Sequence, residues 1–232
     1  MFLLSKKSLY PFYLTLLILF PFLLFNKGSI VLYINNFHNP LLDIFFKNMS
    51  RFGNGLFIII CFLCLLLFFN IKWIYKFTLA ALIHLILVHS CKQFFFKDRM
   101  RPYRYFDCDP DGILNLVENV KIYYRDTFPS GHTTTIFFLF TFFALYLNNR
   151  KLSFILCLVG FTVGISRIYL IQHFFVDVYF GMLFGVSSSL LASYIVSLKP
   201  KQWYNKKVLS YILLPKIKTT NIRWGDKVFR IF

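Results

Sequence analysis

Long apolar runs constrain the fold of this chain more than any other feature. Six such runs, separated by polar turns, each approach the roughly 20 residues that a helix needs to cross the hydrocarbon core of a bilayer. The 232 residues are 58% hydrophobic and include 32 Phe, which is more apolar surface than a soluble domain of this length requires. We therefore expect an all-α, polytopic membrane protein built as a bundle of six transmembrane helices.

The polar turns divide the chain into spans, an interfacial segment and a tail. The predicted spans cover residues 9–25, 56–69, 77–95, 133–147, 154–171 and 174–196. The segment 30–46, after the first span, is amphipathic and is broken by Asn35-Asn36 and Asn39-Pro40, so we expect it to lie at the membrane interface. Residues 1–198 then form the six-span domain. Residues 199–232 form a basic tail that either lies on anionic lipid or is disordered.

Basic residues predict the orientation of these spans. The net charge of +17 suggests nucleic-acid binding at first sight, but the 26 basic residues lie between apolar runs, where they set orientation and contact phosphate groups. Most of them, with a single acid, Asp226, fall on the side of the N-terminus, the turns 70–76 and 148–151, and the tail. The positive-inside rule makes that side cytoplasmic. The loop 97–129 then faces outward, toward the periplasm in the case of a bacterial inner membrane.

The N-terminus and the cysteines indicate neither cleavage nor disulfide bonding. Lys6 and Lys7 before the first apolar run resemble the start of a signal peptide, but no small-residue cleavage site follows, so we expect a retained span. Four of the five cysteines lie in apolar runs, where packing is the expected role, and Cys108 is alone in a polar loop.

Three short motifs lie at the outer ends of the predicted spans. They are Lys92–Pro102, which contains Arg101; Pro129–His132, which reads Pro-Ser-Gly-His; and Ser166–Asp177, which reads Ser-Arg-x5-His-x3-Asp. Together they resemble the signature of the type 2 phosphatidic acid phosphatase superfamily, which is Lys-x6-Arg-Pro, Pro-Ser-Gly-His and Ser-Arg-x5-His-x3-Asp. The second and third motifs match residue for residue, and the six-span layout agrees with the resemblance.

The first motif departs from the family pattern in its spacing. Seven residues before Arg101 the chain has Phe94, whereas Lys92 gives the spacing Lys-x8-Arg-Pro. An extra half-turn of helix would restore the geometry. We therefore assign the family lysine to Lys92 in preference to Lys97, and we expect Arg101 to fill the arginine position.

The residue types in these motifs suit phosphoryl transfer independently of the family. Transfer is helped mainly by positioning and by charge placed around the three phosphoryl oxygens. Arg101 and Arg167 offer bidentate contacts to these oxygens, and Lys92 offers a point charge. Ser130 and Gly131 open a helix whose free amides and dipole can face the anion.

Two histidines and an aspartate are candidates for the chemical steps. His173 and Asp177 are four residues apart at a helix start and share one face. Asp177 can accept a hydrogen bond from one ring nitrogen of His173, which leaves the other nitrogen as a nucleophile. His132 remains as the general acid that protonates the leaving alkoxide and later activates water. The resemblance implies the same assignment, with a phosphohistidine at His173 and with neither metal nor cofactor.

The resemblance implies that the substrate is a membrane lipid phosphate, and we expect no nucleic-acid partner. Within the family the architecture is most similar to the lipid A phosphatases. A bulky, multiply anionic headgroup is matched by outward basic residues that orientation does not require, namely Lys97, Arg99, Arg104, Lys121 and Arg125. Undecaprenyl pyrophosphate and phosphatidylglycerol phosphate match the same residues, so these alternatives stay open.

Each element also has a rival interpretation. Ser130-Gly131 alone is an ordinary helix cap, Arg167 can snorkel at a helix end, and His173 with Asp177 can be a buried polar pair. A metal site of two histidines and an aspartate is disfavoured because the adjacent arginines repel a cation. Vanadate-binding haloperoxidases share the pocket type but are soluble, and a transporter or scaffold is not expected to keep the full set of residues. The remaining histidines, His38, His84 and His89, are assigned structural roles.

Overall fold

The computed structural model describes residues 7–198, 201–207, 221–224 and 227–230, and most of them are helical. The α-helices are α1 Tyr10–Leu19, α2 Ser29–Asn35, α3 Pro40–Arg51, α4 Gly55–Phe68, α5 Ile71–Ser90, α6 Pro102–Tyr105, α7 Gly131–Leu147, α8 Arg150–Tyr169 and α9 Phe175–Leu198. Short 3-10 helices cover Lys7–Leu9, Phe20–Leu24 and Gln202–Asn205, and a π-helix at Cys91–Phe95 prolongs α5. The predicted all-α membrane architecture is confirmed.

A short antiparallel hairpin in the tail is the exception to the all-α prediction. Strands β1 (Asn221–Trp224) and β2 (Lys227–Arg230) pair along their full length. The sequence between them, Gly225-Asp226, is a pair typical of hairpin turns. At the start of the tail, the carbonyl oxygen of Lys206 accepts a hydrogen bond of 2.9 Å from the backbone of Ile71, so residues 201–207 lie beside the first turn of α5. The rest of the predicted tail, and residues 1–6, lie outside the described residues.

In the described part of the chain, four helical segments are long and apolar enough to cross a membrane: Lys7–Leu24, Ile71–Phe95, Arg150–Tyr169 and Phe175–Leu198. They correspond to the first, third, fifth and sixth predicted spans. The second predicted span corresponds to α4, which has 14 residues and follows α3 at a bend of 51°, so that only both helices together make a fifth span. The fourth corresponds to α7, which has 17 residues. The predicted count of six is therefore not confirmed, because about 20 residues are needed to cross the hydrocarbon core.

The segment predicted to lie at the interface folds as two helices, α2 and most of α3, separated at residues 36–39. Asn39 begins α3, because its side chain accepts a hydrogen bond of 3.0 Å from the backbone N–H of Leu42. The amphipathic helix α3 continues past the predicted end at residue 46. The hydroxyl of Tyr169, a buried residue of α8, donates a hydrogen bond of 2.6 Å to Asp43 and so fixes α3 to the bundle.

The helix α7, most of whose side chains are buried, packs tightly against α9. A Cβ at Gly181 of α9 would lie 2.9 Å from the carbonyl oxygen of Ser130, and a Cβ at Gly185 would lie 2.5 Å from that of Thr134. Glycines four residues apart on one face allow two membrane helices to approach closely. This contact holds the start of α7, which carries the second motif, beside the start of α9, which carries Asp177.

Candidate active site

His173 lies in the short link between α8 and α9, and its side chain is buried. The link folds back on α8, since the backbone N–H groups of Gln172 and His173 donate to the carbonyl oxygen of Arg167 at 2.9 and 3.1 Å. Nε2 of His173 lies 3.3 Å from Nη1 of Arg101, and Nδ1 of His173 lies 3.6 Å from Oδ2 of Asp177. The structure therefore places a cation beside one ring nitrogen and a carboxylate beside the other.

Asp177 is fully buried in the first turn of α9 and is held by several donors. The hydroxyl of Thr127 and the backbone N–H of Phe174, the latter at 2.8 Å, both donate to Oδ2 of Asp177. Thr127 also lies 3.4 Å from Nδ1 of His173. The carbonyl oxygen of Asp177 accepts a hydrogen bond of 3.0 Å from the N–H of Ser130, which ties the third motif to the second. Sequence reasoning missed Thr127, although it lies two residues before the second motif.

The surroundings of His173 favour its neutral form. Burial lowers the pKa of His173 well below its usual range, and the neighbouring cations, first Arg101 and then Arg167, lower it further. A neutral imidazole keeps one nitrogen lone pair. The ring is thus able to act as a nucleophile at neutral pH.

Arg101 is held by the backbone of the segments around it. Its Nε donates to the carbonyl oxygen of Arg125 at 2.7 Å, and its Nη1 and Nη2 donate to those of Gln172 and Asp126 at 2.9 and 3.3 Å. The ammonium of Lys92 donates to the same carbonyl oxygen of Asp126. Two basic residues of the first motif therefore converge beside His173.

A π-helix lies in the first motif, whose spacing departs from the family pattern. In this chain Lys92 precedes Arg101 by two residues more than in the family pattern, and the segment Cys91–Phe95, which contains Lys92, is wound as a π-helix. Because a π-helix makes i→i+5 hydrogen bonds, it takes up additional residues within one turn. Lys92 is half-buried and directed to the site, whereas Lys97 is exposed. The structure therefore brings Lys92, and not Lys97, to the position beside Arg101.

Arg167, in the last turn of α8, is buried with one donor unused. Its Nη1 donates to the hydroxyl of Ser50 on α3, while its Nε is buried with no hydrogen-bond partner in the described part of the chain. An unsatisfied buried donor costs about 1–3 kcal/mol, and more when it is charged, so such a group calls for a partner such as an ordered water, an ion or a ligand. An oxyanion next to Arg167 would satisfy this nitrogen. Ser50 was not predicted, because it belongs to no motif.

The second motif begins α7 at Ser130, but without the expected side-chain cap. The hydroxyl of Ser130 accepts a hydrogen bond of 2.9 Å from Thr133 and caps no backbone amide. A Cβ at Gly131 would meet only Cγ1 of Val88, at 4.0 Å, so the space above the first turn is open. The first amides of a helix have no partner within the helix, and together with the dipole they suit an anion.

His132, in the first turn of α7, packs against the turn that joins α3 to α4. A Cβ at Gly53 of this turn would lie 2.6 Å from Cβ of His132 and 2.8 Å from its carbonyl oxygen. No side chain fits there without a shift of the backbone. Gly53 therefore sets the position of His132, and no motif in the sequence marks it.

The segment from α5 to the end of α9, which carries all of these candidate residues except Ser50 and Gly53, coincides with a known family. The model of the PAP2 superfamily matches residues 72–201, which is more than half of the chain. This chain belongs to the PAP2 superfamily.

Curated relatives of this PAP2 chain match it over a shorter segment. The lipid A 1-phosphatases of Rhizobium johnstonii and Rhizobium etli are each 36% identical to it over 70 residues. That segment is 30% of this chain and 28% and 29% of the two relatives, so the match spans less than a third of their length.

Two solved structures share the fold of this PAP2 chain. Aquifex aeolicus LpxE superposes with a TM-score of 0.62 at 29% identity, over 72% of this chain and 93% of that one. A PAP2-type phosphatidylglycerolphosphate phosphatase of Bacillus subtilis superposes with a TM-score of 0.59 at 19% identity, over 85% of this chain and 100% of that one. The second likeness concerns the fold alone.

The outward basic residues proposed for a headgroup differ in their contacts and exposure in this PAP2 chain. Arg125 pairs with Asp98 at 3.1 Å on the surface, and the guanidinium of Arg99 lies 5.4 Å from the ring centroid of Phe96. The other three are Lys97 and Lys121, which are exposed, and Arg104, which is half-buried on α6. Arg125 is therefore already committed to an ion pair, while Arg99 borders a cavity next to Asp177.

The described residues of the PAP2 chain do not offer a set of metal ligands of the usual kind. No group of three or more His, Cys, Asp or Glu side chains lies close together among them. Three cations, Arg101, Arg167 and Lys92, act on His173 instead, and cations suit an oxyanion.

Two of the three remaining histidines have partners away from His173. The ring of the buried His84 stacks on Phe138 with centroids 5.5 Å apart, and its Nε2 lies 3.3 Å from the hydroxyl of Thr135. His38 lies 3.0 Å from the Asp43 carboxylate. His89 is exposed on α5. The structural roles of these three histidines remain a prediction.

Proposed function

We propose that this protein is a metal-independent lipid phosphatase that works through a phosphohistidine at His173. The observation that carries the proposal is the environment of that ring. One nitrogen faces Asp177 and Thr127, and the other faces Arg101. This arrangement orients a neutral imidazole so that its Nε2 lone pair points toward the cations that would hold a phosphoryl group.

In the first half of the reaction, the Nε2 lone pair of His173 attacks phosphorus and the bond from phosphorus to the lipid oxygen breaks. Burial and the cations Arg167, Arg101 and Lys92 lower the pKa of His132 in the empty site. The bound phosphate dianion offsets these cations, so His132 carries the proton that it gives to the departing alkoxide. Asp177 holds the Nδ1 proton of His173 and stabilises the positive charge that develops on the ring. The products are the dephosphorylated lipid and phosphohistidine.

In the second half, His132 takes a proton from a water molecule whose oxygen attacks phosphorus. The bond from phosphorus to Nε2 breaks, its electron pair returns to His173, and inorganic phosphate leaves. Lys92, Arg101 and Arg167 meet the equatorial oxygens in both halves, together with the amides at the start of α7. The unused Nε donor of Arg167 supports this placement.

Lipid A is the proposed substrate. Two curated relatives are lipid A 1-phosphatases, and the sequence resemblance points to the same subgroup. Phosphatidylglycerol phosphate is the second candidate, because the outward basic residues in the sequence match its headgroup as well. Undecaprenyl pyrophosphate and phosphatidic acid complete the set of phosphorylated lipids to compare.

The function is tested by phosphate release from these four lipids with the purified full-length protein in nanodiscs, with and without EDTA. We expect release to be fastest from lipid A and unchanged by the chelator, because the protein supplies the phosphate-binding cations itself. Faster release from another lipid would reassign the substrate. Loss in EDTA that added metal restores would contradict the metal-independent mechanism, and no release from any lipid would favour a transporter or scaffold.

Gly53→Ala is expected to lower kcat by about 10²-fold, since a misplacement of a catalytic group by about 1 Å costs this much. The new methyl group would displace His132. Gly55→Ala is the matched control two residues further on, because a Cβ there meets nothing within 4 Å. Steady-state phosphate release and thermal unfolding are measured for both variants. Equal kcat values for the two folded variants would show that Gly53 does not position His132.

We further propose that the active site faces the periplasm from a bacterial inner membrane and that both termini are cytoplasmic. The distribution of basic residues supports this orientation. An outward site acts on lipids that have reached the outer leaflet, such as lipid A after export.

A thiol reagent that cannot cross the inner membrane is expected to label Cys108 in intact spheroplasts, because Cys108 is exposed in the outward loop. In a Cys108→Ser background, Lys151→Cys in the turn before α8 is expected to react only after lysis. The mass shift of the labelled protein reports the reaction of each of the two cysteines. Reaction of Lys151→Cys, and not of Cys108, in intact spheroplasts would reverse the topology and exclude outer-leaflet substrates.

A further inference from the structure

A cavity of about 460 Å³ borders Asp177 and Thr127, and its lining does not include His173, Arg101 or Arg167. Its walls are mainly aromatic, from Phe96, Phe128, Phe180 and Phe184. Two cations, Lys27 and Arg99, also line it. The buried carboxylate of Asp177 is therefore approached by positive charge from a second direction, separate from the proposed phosphate pocket.

Lys27 is held in place by the aromatic side chains around it. Its ammonium lies 4.0 Å from the ring centroid of Phe174 and 5.5 Å from that of Tyr105. The adjacent Gly28 packs so closely that a Cβ there would lie 2.9 Å from Cζ of Phe106. The 26–28 segment is thereby fixed, although it lies between the first span and α2 and belongs to no motif.

Phe174 connects Lys27 to Asp177. The backbone N–H of Phe174 donates to Oδ2 of Asp177 at 2.8 Å, and its ring carries the Lys27 ammonium. Burial lowers the pKa of Lys27, and the charge of Asp177 opposes that shift. A buried carboxylate stays ionised only if cations or hydrogen bonds compensate its desolvation.

We propose that Lys27 is a positioning residue that keeps Asp177 ionised while phosphate occupies the active site. This inference rests on the proposed function. The charged and titratable groups around Asp177 are Lys27, Lys92, Arg99, Arg101 and His173. A bound phosphate neutralises Lys92 and Arg101, and Arg99 is exposed and screened by solvent. Lys27 remains as the partly buried cation outside the phosphate pocket.

The consequence concerns turnover rather than binding. Without the charge of Lys27, Asp177 takes up a proton more readily in the phosphate-bound states and then holds the Nδ1 proton of His173 less strongly. Lys27 does not line the phosphate pocket, so substrate affinity is not expected to depend on it. Loss of the charge should therefore lower kcat and leave KM nearly unchanged.

Lys27→Met and Lys27→Gln are expected to lower kcat about tenfold, the factor that one pKa unit represents, with KM nearly unchanged. Lys27→Arg keeps the charge and should restore most of the activity. In an Asp177→Asn background, where no carboxylate remains, Lys27→Met should have no further effect. Lys47→Met is the matched control, because the ammonium of Lys47 donates an exposed hydrogen bond of 2.9 Å to the carbonyl oxygen of Glu118 and does not belong to the charged groups around Asp177. Radiolabelled lipid makes the slow turnover of the Asp177→Asn proteins measurable.

Two results would overturn the proposal. One is an equal loss of kcat in Lys27→Arg and the neutral variants, which would indicate a packing role. The other is a Lys27→Met effect that persists undiminished in the Asp177→Asn background. If Lys27→Met does not fold, Lys27→Gln carries the same comparison. Failure of the proposed function itself would appear separately, as turnover that survives the loss of His173.

Discussion

His173→Gln is expected to lose phosphate release by a factor on the order of 10⁴ or more, as the loss of a nucleophile does in other covalent hydrolases. Glutamine is close in size to histidine but offers no ring nitrogen with a lone pair. The site is buried, so water does not replace the missing nucleophile beside Arg101. The release of phosphate from lipid A by the purified variant measures the loss.

The same experiment includes trapping of the intermediate. Acid-labile, base-stable phosphate from radiolabelled lipid should appear on the wild-type protein at His173 and be absent from His173→Gln. His89→Gln is the matched control, because His89 is exposed on α5. Turnover by His173→Gln within tenfold of the wild-type rate would rule out a phosphohistidine at this position.

Arg167→Lys is expected to lower kcat/KM by about 10²–10³-fold, the range seen when one donor to a developing oxyanion is removed. The charge is kept, but the planar fork is lost, and with it the Nε donor that has no protein partner. The lost Nη1 contact leaves the hydroxyl of Ser50 without its donor as well. Kinetics of phosphate release, with circular dichroism to show that the variant is folded, make the measurement.

Arg150→Lys, at the opposite end of α8, is the control for this substitution. Arg150 is exposed, and its guanidinium lies 6.0 Å from the ring centroid of Tyr10, so the change should alter kcat/KM little. Equal kcat/KM values for Arg167→Lys and Arg150→Lys would mean that Arg167 contributes only charge to the site.

Local features of the sequence determined the helical membrane architecture. Apolar runs of near-spanning length leave the backbone no stable alternative to the helix in lipid, since each N–H and C=O group must be satisfied within the segment. The number of spans was not determined in this way. Whether the 14 residues of α4 and the 17 of α7 cross the bilayer depends on the bend after α3 and on the burial of α7, and both arise from packing.

The motifs likewise identified the residues that meet at the candidate site, because their spacing places each one at a helix end on the same side of the bundle. Lys92 and Arg101 were assigned despite a spacing of two residues too many. The structure shows a π-helix at Cys91–Phe95, which takes up part of this extra length. No amino-acid composition is specific to a π-helix. The sequence therefore indicated that the first motif is longer than in the family, but not which backbone conformation takes up the extra residues.

Only the tertiary structure decided which residues support the motif side chains. Thr127 reaches Asp177, Ser50 reaches Arg167, Gly53 abuts His132, and Lys27 lies above the ring of Phe174. Most of these contacts join segments far apart in the chain, and a contact of this kind leaves no periodic or spacing signal at either end. The residues of the candidate site could be predicted because the chemistry proposed for them needs particular residue types in order. Its support could not, because many residues can fill a position that packing alone defines.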